Sequence, residues 1–256
     1  MRPSDLAHAT AFLTRLPVPA RAFGNAPLDF SRQCWAFSAV GALVGAIVAS
    51  VATGLLALGA SPLLAAVFAA ATATFVTGAL HEDGLADCAD GFWGAHEPER
   101  RRAIMRDSAI GTYGTMALVA VFAAKVAALD GLLAIGGVSE LVAAASVSRA
   151  AMVVHWVALP PAPSATDAKG ESLATRFGRP GPTQAVLAVA LALLACLLIP
   201  LWATLAGLGA AAVATAAVAA LSRAKIGGFT GDTLGATALV CETAFLCGAL
   251  LPTSVP

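Results

Sequence analysis

The sequence predicts an all-α fold, a polytopic integral membrane bundle of about seven transmembrane helices plus a short N-terminal interfacial helix, in one domain over residues 1–256. Three observations lead there. Hydrophobic residues make up 59% of the chain and charged residues 12%, with a mean hydropathy of +0.83, a balance outside the range of soluble domains. Seven apolar stretches approach the roughly twenty residues that a helix needs to cross a hydrocarbon layer ~30 Å thick. Finally, nearly all of the fifteen Lys and Arg residues fall in alternate connections between those stretches.

In chain order, residues 4–16 carry Leu6, Ala9, Leu13 and Leu16 at helical spacing beside Asp5 and Arg15. That is the pattern of a short helix lying on the membrane surface. The basic, apolar and small-residue pattern of a cleaved signal peptide is absent, so the first span is expected to be retained. Spans are expected at 36–58, 62–80, 114–136, 139–159, 184–202, 204–222 and 234–252. Gly41 and Gly45 form a small-xxx-small step suited to helix packing in the first span. The fifth and sixth spans meet near residues 200–204 with almost no loop, so they are either separate helices or one broken or re-entrant element.

Basic residues orient the bundle. Arg2, Arg15, Arg21 and Arg32 precede the first span. Arg100, Arg101, Arg102 and Arg106 lie between the second and third, Lys169, Arg176 and Arg179 between the fourth and fifth, and Arg223 and Lys225 between the sixth and seventh. The other connections carry none, so the positive-inside rule makes the basic side cytoplasmic. The acidic stretch described below and the loops 160–182 and 223–233 then open on one side, where a single site can use all three. Lys125 and Arg149 remain inside spans. Arg149 and Glu242 should lie at matching depth, on the order of 12–15 Å below the basic face at 1.5 Å rise per residue. A salt bridge between them is expected, with Lys125 as the competing partner for Glu242. Five cysteines without a CxxC pair suggest neither a disulfide framework nor a zinc site.

Polar chemistry concentrates between His81 and Gly114. On a helix over 83–94, Asp83, Asp87 and Asp90 stand at i, i+4 and i+7, within one narrow arc. Three like charges so placed call for a cation; hard oxygen ligands suit a divalent ion, Mg2+ above all where phosphates complete its shell. Gly84, Gly91 and Gly94 are expected to leave room for a bulky ligand near the backbone. Asp107 could add a further carboxylate from a second helix, and Arg106 and Lys225 would face a diphosphate. His81 can take a proton from an attacking hydroxyl or orient it, or merely bond its surroundings. The turn Gly227-Gly228-Phe229-Thr230-Gly231-Asp232 can offer backbone N–H groups to phosphate. There is no GxxxxGK[ST] loop, and no dinucleotide fingerprint follows a strand.

The pattern His81-x-Asp83-Gly84-x-Ala86-Asp87-x-x-Asp90-Gly91, followed by Arg106-Asp107-Ser108-x-x-Gly111-x-Tyr113-Gly114, resembles the signature of the cobalamin synthase family, the adenosylcobinamide-GDP ribazoletransferases. Thr14-Arg15-Leu16-Pro17-Val18-Pro19 resembles the family's opening, and Gly227-Gly228-x-Thr230-Gly231-Asp232-x-Leu234-Gly235-Ala236 its C-terminal motif. The resemblance implies a Mg2+-dependent membrane enzyme that joins alpha-ribazole, or its 5'-phosphate, to adenosylcobinamide-GDP with release of GMP. Taken together, the candidate site residues are His81 and Asp107 as catalytic groups, Asp83, Asp87 and Asp90 as metal ligands, and Arg106, Arg149, Lys225, Thr230 and Asp232 at the substrates. Its setting would be the bacterial inner membrane, with the bilayer as partner, no nucleic acid, and homo-oligomerisation left open. The acidic core also resembles, more loosely, that of the membrane CDP-alcohol phosphotransferases, whose further spaced aspartates do not follow Asp90. A transporter would need ionisable groups along a path through the bilayer.

If the basic side is cytoplasmic, a cysteine placed at residue 170 will be protected from a membrane-impermeant reagent in intact cells, and one at residue 60 will react. The reverse labelling pattern overturns the orientation.

Overall fold

The structure, a computed structural model, describes residues 2–24, 29–163 and 178–251. Two expectations, the charges Lys169 and Arg176 in the 160–182 loop, lie outside the described residues. The chain opens with α1 (Pro3–Leu13), started by a proline in its first turn and by the Arg2 N–H donating to Asp5 Oδ2 at 2.8 Å. Leu6 and Phe12 stay exposed, as a surface-lying helix requires. Trp35 Nε1 donates to the same Asp5 carboxylate and ties α1 to the base of the first span.

After a short turn, α2 (Phe30–Gln33), the first span is α3 (Phe37–Ala57). It packs on α8 (Ser139–Ala158), and the two glycines explain how closely. A Cβ on Gly45 would lie 2.7 Å from Val142 Cα, and one on Gly41 would strike the Ala145 carbonyl. Backbone therefore meets backbone there, which is the packing role expected of this step.

Between these helices α4 (Pro62–Thr77) ends where Gly78 and Ala79 both take left-handed φ, 64° and 57°. The chain turns by 90° into α5 (Leu80–Gly94). A β-carbon at φ 57° costs about 1–3 kcal/mol. The second span is therefore shorter than the expected 62–80, and the chain breaks here. At residues 200–204, by contrast, α9 (Pro182–Cys196) and α10 (Leu201–Ile226) are separate helices joined through Pro200. The remaining helices are α6 (Pro98–Ile104), α7 (Thr112–Ala134) and α11 (Gly231–Leu250).

Among the described residues five segments are long and apolar enough to cross a membrane: 30–57, α7, α8, α10 and α11. The bent pair α4 and α5 passes only when taken together, and α9 is a shorter apolar helix. All seven expected stretches are thus helical, five of them at full spanning length. α8 and α11 form the centre, 78% buried over their most apolar windows against 17% for α10. The charges at the middle of these two helices, Arg149 and Glu242, are buried, and they pair.

Glu242 of α11 receives both cations that the sequence leaves inside spans. Lys125 Nζ of α7 is 2.6 Å from its Oε1, and Arg149 Nη1 of α8 bonds its Oε2. Ser148 Oγ donates to the same oxygen at 3.3 Å and accepts from Arg149 at 2.9 Å. Competition between Arg149 and Lys125 is resolved by sharing, because a carboxylate has two oxygens and each cation takes one.

Removing the shared anion strands two buried cations, so Glu242→Gln should cost about 3–5 kcal/mol of unfolding free energy in detergent. Lys125→Met and Arg149→Leu should each cost less, and each should lose most of its effect in the Glu242→Gln background. Strictly additive losses would show that the three residues do not interact.

Candidate functional site

α5 does not run along the bundle but lies across the first turns of α11 and the start of α7. Its glycines make this possible. A Cβ on Gly84 would lie 2.6 Å from the Asp232 carbonyl oxygen, and one on Gly235 would lie 3.2 Å from the Leu80 carbonyl oxygen. Gly91 and Gly94 meet Met105 and Ile104 of the α6 segment. The expectation that these three α5 glycines leave room for a ligand is therefore corrected: protein backbone and side chains fill that room.

The acidic arc divides in two. Asp90 accepts from the backbone N–H groups of Gly111 at 2.7 Å and Gly114 at 2.9 Å, and so caps the start of α7. A Cβ on either glycine would run into that carboxylate. This accounts for both glycines of the Asp107-Ser108-x-x-Gly111-x-Tyr113-Gly114 stretch. Asp83 is exposed and Asp87 half-buried, and among the described residues neither has an ion-pair or hydrogen-bonded side-chain partner. The Asp87 carboxyl is pushed up to about 7, by burial first and then by Asp232, Asp83 and Asp90. Asp232 is the second-helix carboxylate in this group, brought in by the Gly84 contact. Asp107 is exposed, is not among the charges acting on Asp87, and accepts from the Ala109 N–H in a local turn.

Around this group the segments are fastened to one another. Arg101 donates to the carbonyls of Ala95 at 2.9 Å and Lys225 at 3.0 Å, and Arg102 to that of Ile226 at 3.3 Å. Two of the loop arginines thus cap the C-terminal end of α10, which Gly227 closes at φ 83°. Lys225 Nζ sits 5.6 Å from the Trp93 ring centroid at the end of α5. Phe229 exchanges backbone bonds of 2.9 Å with Pro160 and Ala162, so the 223–233 turn and the start of the 160–182 loop meet beside the acidic helix. Thr230 caps α11, its hydroxyl accepting from the Thr233 N–H at 3.2 Å and donating to Asp232 Oδ2 at 3.3 Å.

Of the expected site residues, the structure brings together Asp83, Asp87, Asp90, Asp232 and Thr230, with Lys225 held against Trp93 near the C-terminal end of α5. Arg106 is exposed, and its side chain has no partner among the described residues. Arg149 is corrected as a substrate contact: it is 3% exposed and engaged with Glu242 and Ser148 inside the bundle. His81 is also 3% exposed, and neither ring nitrogen has a partner among the described residues. It lies within the field of Arg149, Glu242 and Lys125. Glu82 belongs to the acidic stretch but has no role in the sequence reading; its Oε1 accepts from Thr74 Oγ1 at 2.7 Å, and its Oε2 is buried without a partner among the described residues. The signal available was a carboxylate directly at the end of an apolar span.

Among the described residues no three His, Cys, Asp or Glu side chains form a metal centre from protein ligands alone. A hard cation held by one or two carboxylates and completed by substrate phosphates needs no such set. Asp83 and Asp87, unpaired carboxylates on one arc, fit that mode.

The profile of the cobalamin-5-phosphate synthase family matches residues 5–250. Curated relatives named adenosylcobinamide-GDP ribazoletransferase include one from Azorhizobium caulinodans, 45% identical over 97% of this chain and 96% of its own length. Another, from Rhizobium etli strain CIAT 652, is 43% identical over 95% of both chains. A third, from a Sinorhizobium species, is 42% identical over 96% of this chain and 95% of its own. No solved structure matches.

The division of the acidic arc can be tested by unfolding in detergent. Asp90→Asn should lose about 1–3 kcal/mol, since a buried amide loses its charged acceptor. Asp83→Asn and Asp87→Asn, which relieve repulsion, should leave stability unchanged or higher. Equal stability of Asp90→Asn and wild type would remove the cap from the account.

Proposed function

The chain belongs to the cobalamin-5-phosphate synthase family, and from that premise we propose that it joins alpha-ribazole, or its 5'-phosphate, to adenosylcobinamide-GDP in the nucleotide-loop assembly step of cobalamin synthesis. A ribose hydroxyl oxygen forms a bond to the phosphorus that bears the cobinamide. The phosphoanhydride bond to the guanylyl phosphate breaks, and GMP leaves with the electron pair. The observation that carries this reading is the carboxylate group Asp83, Asp87 and Asp232, uncompensated by any described cation and drawn from two of the three family-like motifs.

Such a surface repels a diphosphate unless a cation intervenes, and we assign Mg2+ to Asp83 and Asp87. When bound it would supply charge neutralisation for the transferring phosphoryl group. Lys225, steered by Trp93, and the exposed Arg106 are assigned to the outer phosphates. His81 is assigned the proton of the attacking hydroxyl, because its ring nitrogens lack partners and it sits at the inner end of the same helix. We place the protein in the bacterial inner membrane with this group facing the cytoplasm, on the distribution of Lys and Arg.

The test is GMP release by detergent-purified protein given adenosylcobinamide-GDP and ribazole phosphate. Release should require both substrates and Mg2+, and Asp83→Asn and Asp87→Asn should each lower kcat by about 10²-fold or more. Release without the ribazole substrate would overturn the transferase reading. Undiminished turnover in both variants would overturn the metal assignment.

A further inference from the structure

Trp93 stands near the C-terminal end of α5, six residues beyond Asp87 and ten beyond Asp83. That is a rise of ~9 and ~15 Å, and about 80° around the axis from Asp83. The residue is 51% exposed. His96, Glu97, Glu99 and Arg100, which follow it, are exposed as well, so the ring borders water and not hydrocarbon. Its neighbour Phe92 is buried, with 6.0 Å between ring centroids, and Lys225 Nζ lies over the Trp93 ring, 5.6 Å from its centroid. One guanidinium fastens both sides of this contact. Arg101 donates to the carbonyl of Ala95, two residues after Trp93, at 2.9 Å and to that of Lys225 at 3.0 Å. Further along the chain Asp232 rests on Gly84. The segment from Lys225 to Asp232 therefore runs beside α5 from Trp93 back to the acidic group and touches the helix at both ends.

A large ring left half in water is apolar surface that folding has not buried, and a simple interfacial anchor has no need of this bracing. A planar ring held firm beside a cation is an arrangement that receives a nucleobase. The base lies on the aromatic surface, and the cation meets the phosphates joined to it. The separation suits such a ligand, because a ribose with one or two phosphates bridges the gap between a stacked base at Trp93 and a cation held at Asp87. We propose that the exposed surface of Trp93 stacks the guanine base of adenosylcobinamide-GDP. The departing nucleotide then lies along the open side of α5, its base at Trp93, its phosphate toward Asp87, and Lys225 between the two. This rests on the transferase reading above and adds to it the place of the leaving group. Base, phosphates and carboxylates share one side of the helix.

GMP, the product, tests this without turnover. With Mg2+ present, GMP should quench the tryptophan fluorescence of the wild-type protein in lipid nanodiscs and ribose 5-phosphate should not. The quenching should disappear in Trp93→Phe. In turnover, Trp93→Leu should raise KM for adenosylcobinamide-GDP by about 10-fold or more, the scale of one lost base–aromatic stack, while KM for ribazole stays within about twofold. Trp93→Phe, which keeps a ring, should recover most of that loss. The melting temperature of each variant reports folding, and the quenching comparison with Trp93→Phe decides the matter where Trp93→Leu fails to fold. Absent quenching, equal quenching by ribose 5-phosphate, or quenching that persists in Trp93→Phe would overturn the proposal. So would an equal rise in both KM values, or a lowered melting temperature with both KM values intact, the result expected of an interfacial anchor. GMP release by wild type without any ribazole would instead refute the transferase reading, so the two failures are distinguishable.

Discussion

The contact on which the rest of the molecule depends is the seating of α5 on α11 with nothing but hydrogen at two of its closest points. Gly84 lies against the Asp232 backbone and Gly235 against the Leu80 carbonyl. A side chain at Gly84 would force the two backbones apart and shift Asp232 relative to Asp87, and one at Gly235 would need the Leu80 carbonyl to give by a few tenths of an ångström. Several other features fix α5 in that position. The paired left-handed residues Gly78 and Ala79 aim it across the bundle. Arg15 bonds the Val76 carbonyl at 2.8 Å through its N–H and lays its stem over Gly78, where a Cβ would be 2.8 Å from its Cγ. Asp90 pins the far half to α7, and Arg101 and Arg102 fasten α6 beneath the end of α10. The three family-like motifs thus meet at one helix: the first braces its entry, the second forms it and the cap of α7, and the third supplies the surface on which it rests.

Charge is distributed unevenly across α5, and the imbalance has opposite sign on its two sides. Outside, Asp83, Asp87 and Asp232 have no described cation beside them, while Asp90 spends its charge on two amides. Inside, two cations share the one carboxylate of Glu242, leaving a formal excess of one positive charge in that group of three. Burial weakens screening, so that inner charge acts over a longer range than a surface charge would. Burial above all, and then Arg149 and Lys125 against the opposing pull of Glu242, disfavour the protonated form of His81. A neutral imidazole is the state able to accept a proton.

Much of this was legible in the sequence because hydropathy and period survive folding. The seven apolar stretches became helices, and the helix of α1 and the partners of Glu242 followed from spacing and depth alone. What the sequence hid were relations between distant segments. A helical arc says that Asp83, Asp87 and Asp90 point the same way but not what each one meets. Asp90 meets amides 21 and 24 residues further on, and no local pattern marks a capping residue so remote from its helix. Glycines carry the same ambiguity. In α5 they satisfy the requirement for close helix packing as well as that for ligand access, and only the partner backbone decides. The bend at Gly78 was hidden because averaging hydropathy over about twenty residues is blind to a reversal of φ at two of them.

The two faces of α5 finally explain why a helix, rather than a loop, carries this chemistry. His81, Leu85, Cys88 and Phe92 follow one another at helical spacing and are all buried. Asp83, Asp87 and Asp90 follow the same spacing two residues later, about 200° around the axis at 100° per residue. One short helix therefore separates a wall facing the bundle, which includes Cys88, from a wall facing the open end, which carries Asp83 and Asp87, and Glu82 stands between the two, about 100° from both His81 and Asp83. A loop could gather the same carboxylates, but only a helix fixes their spacing through its own backbone hydrogen bonds, so that Asp83 and Asp87 stay one turn apart on the open face while the opposite face remains packed.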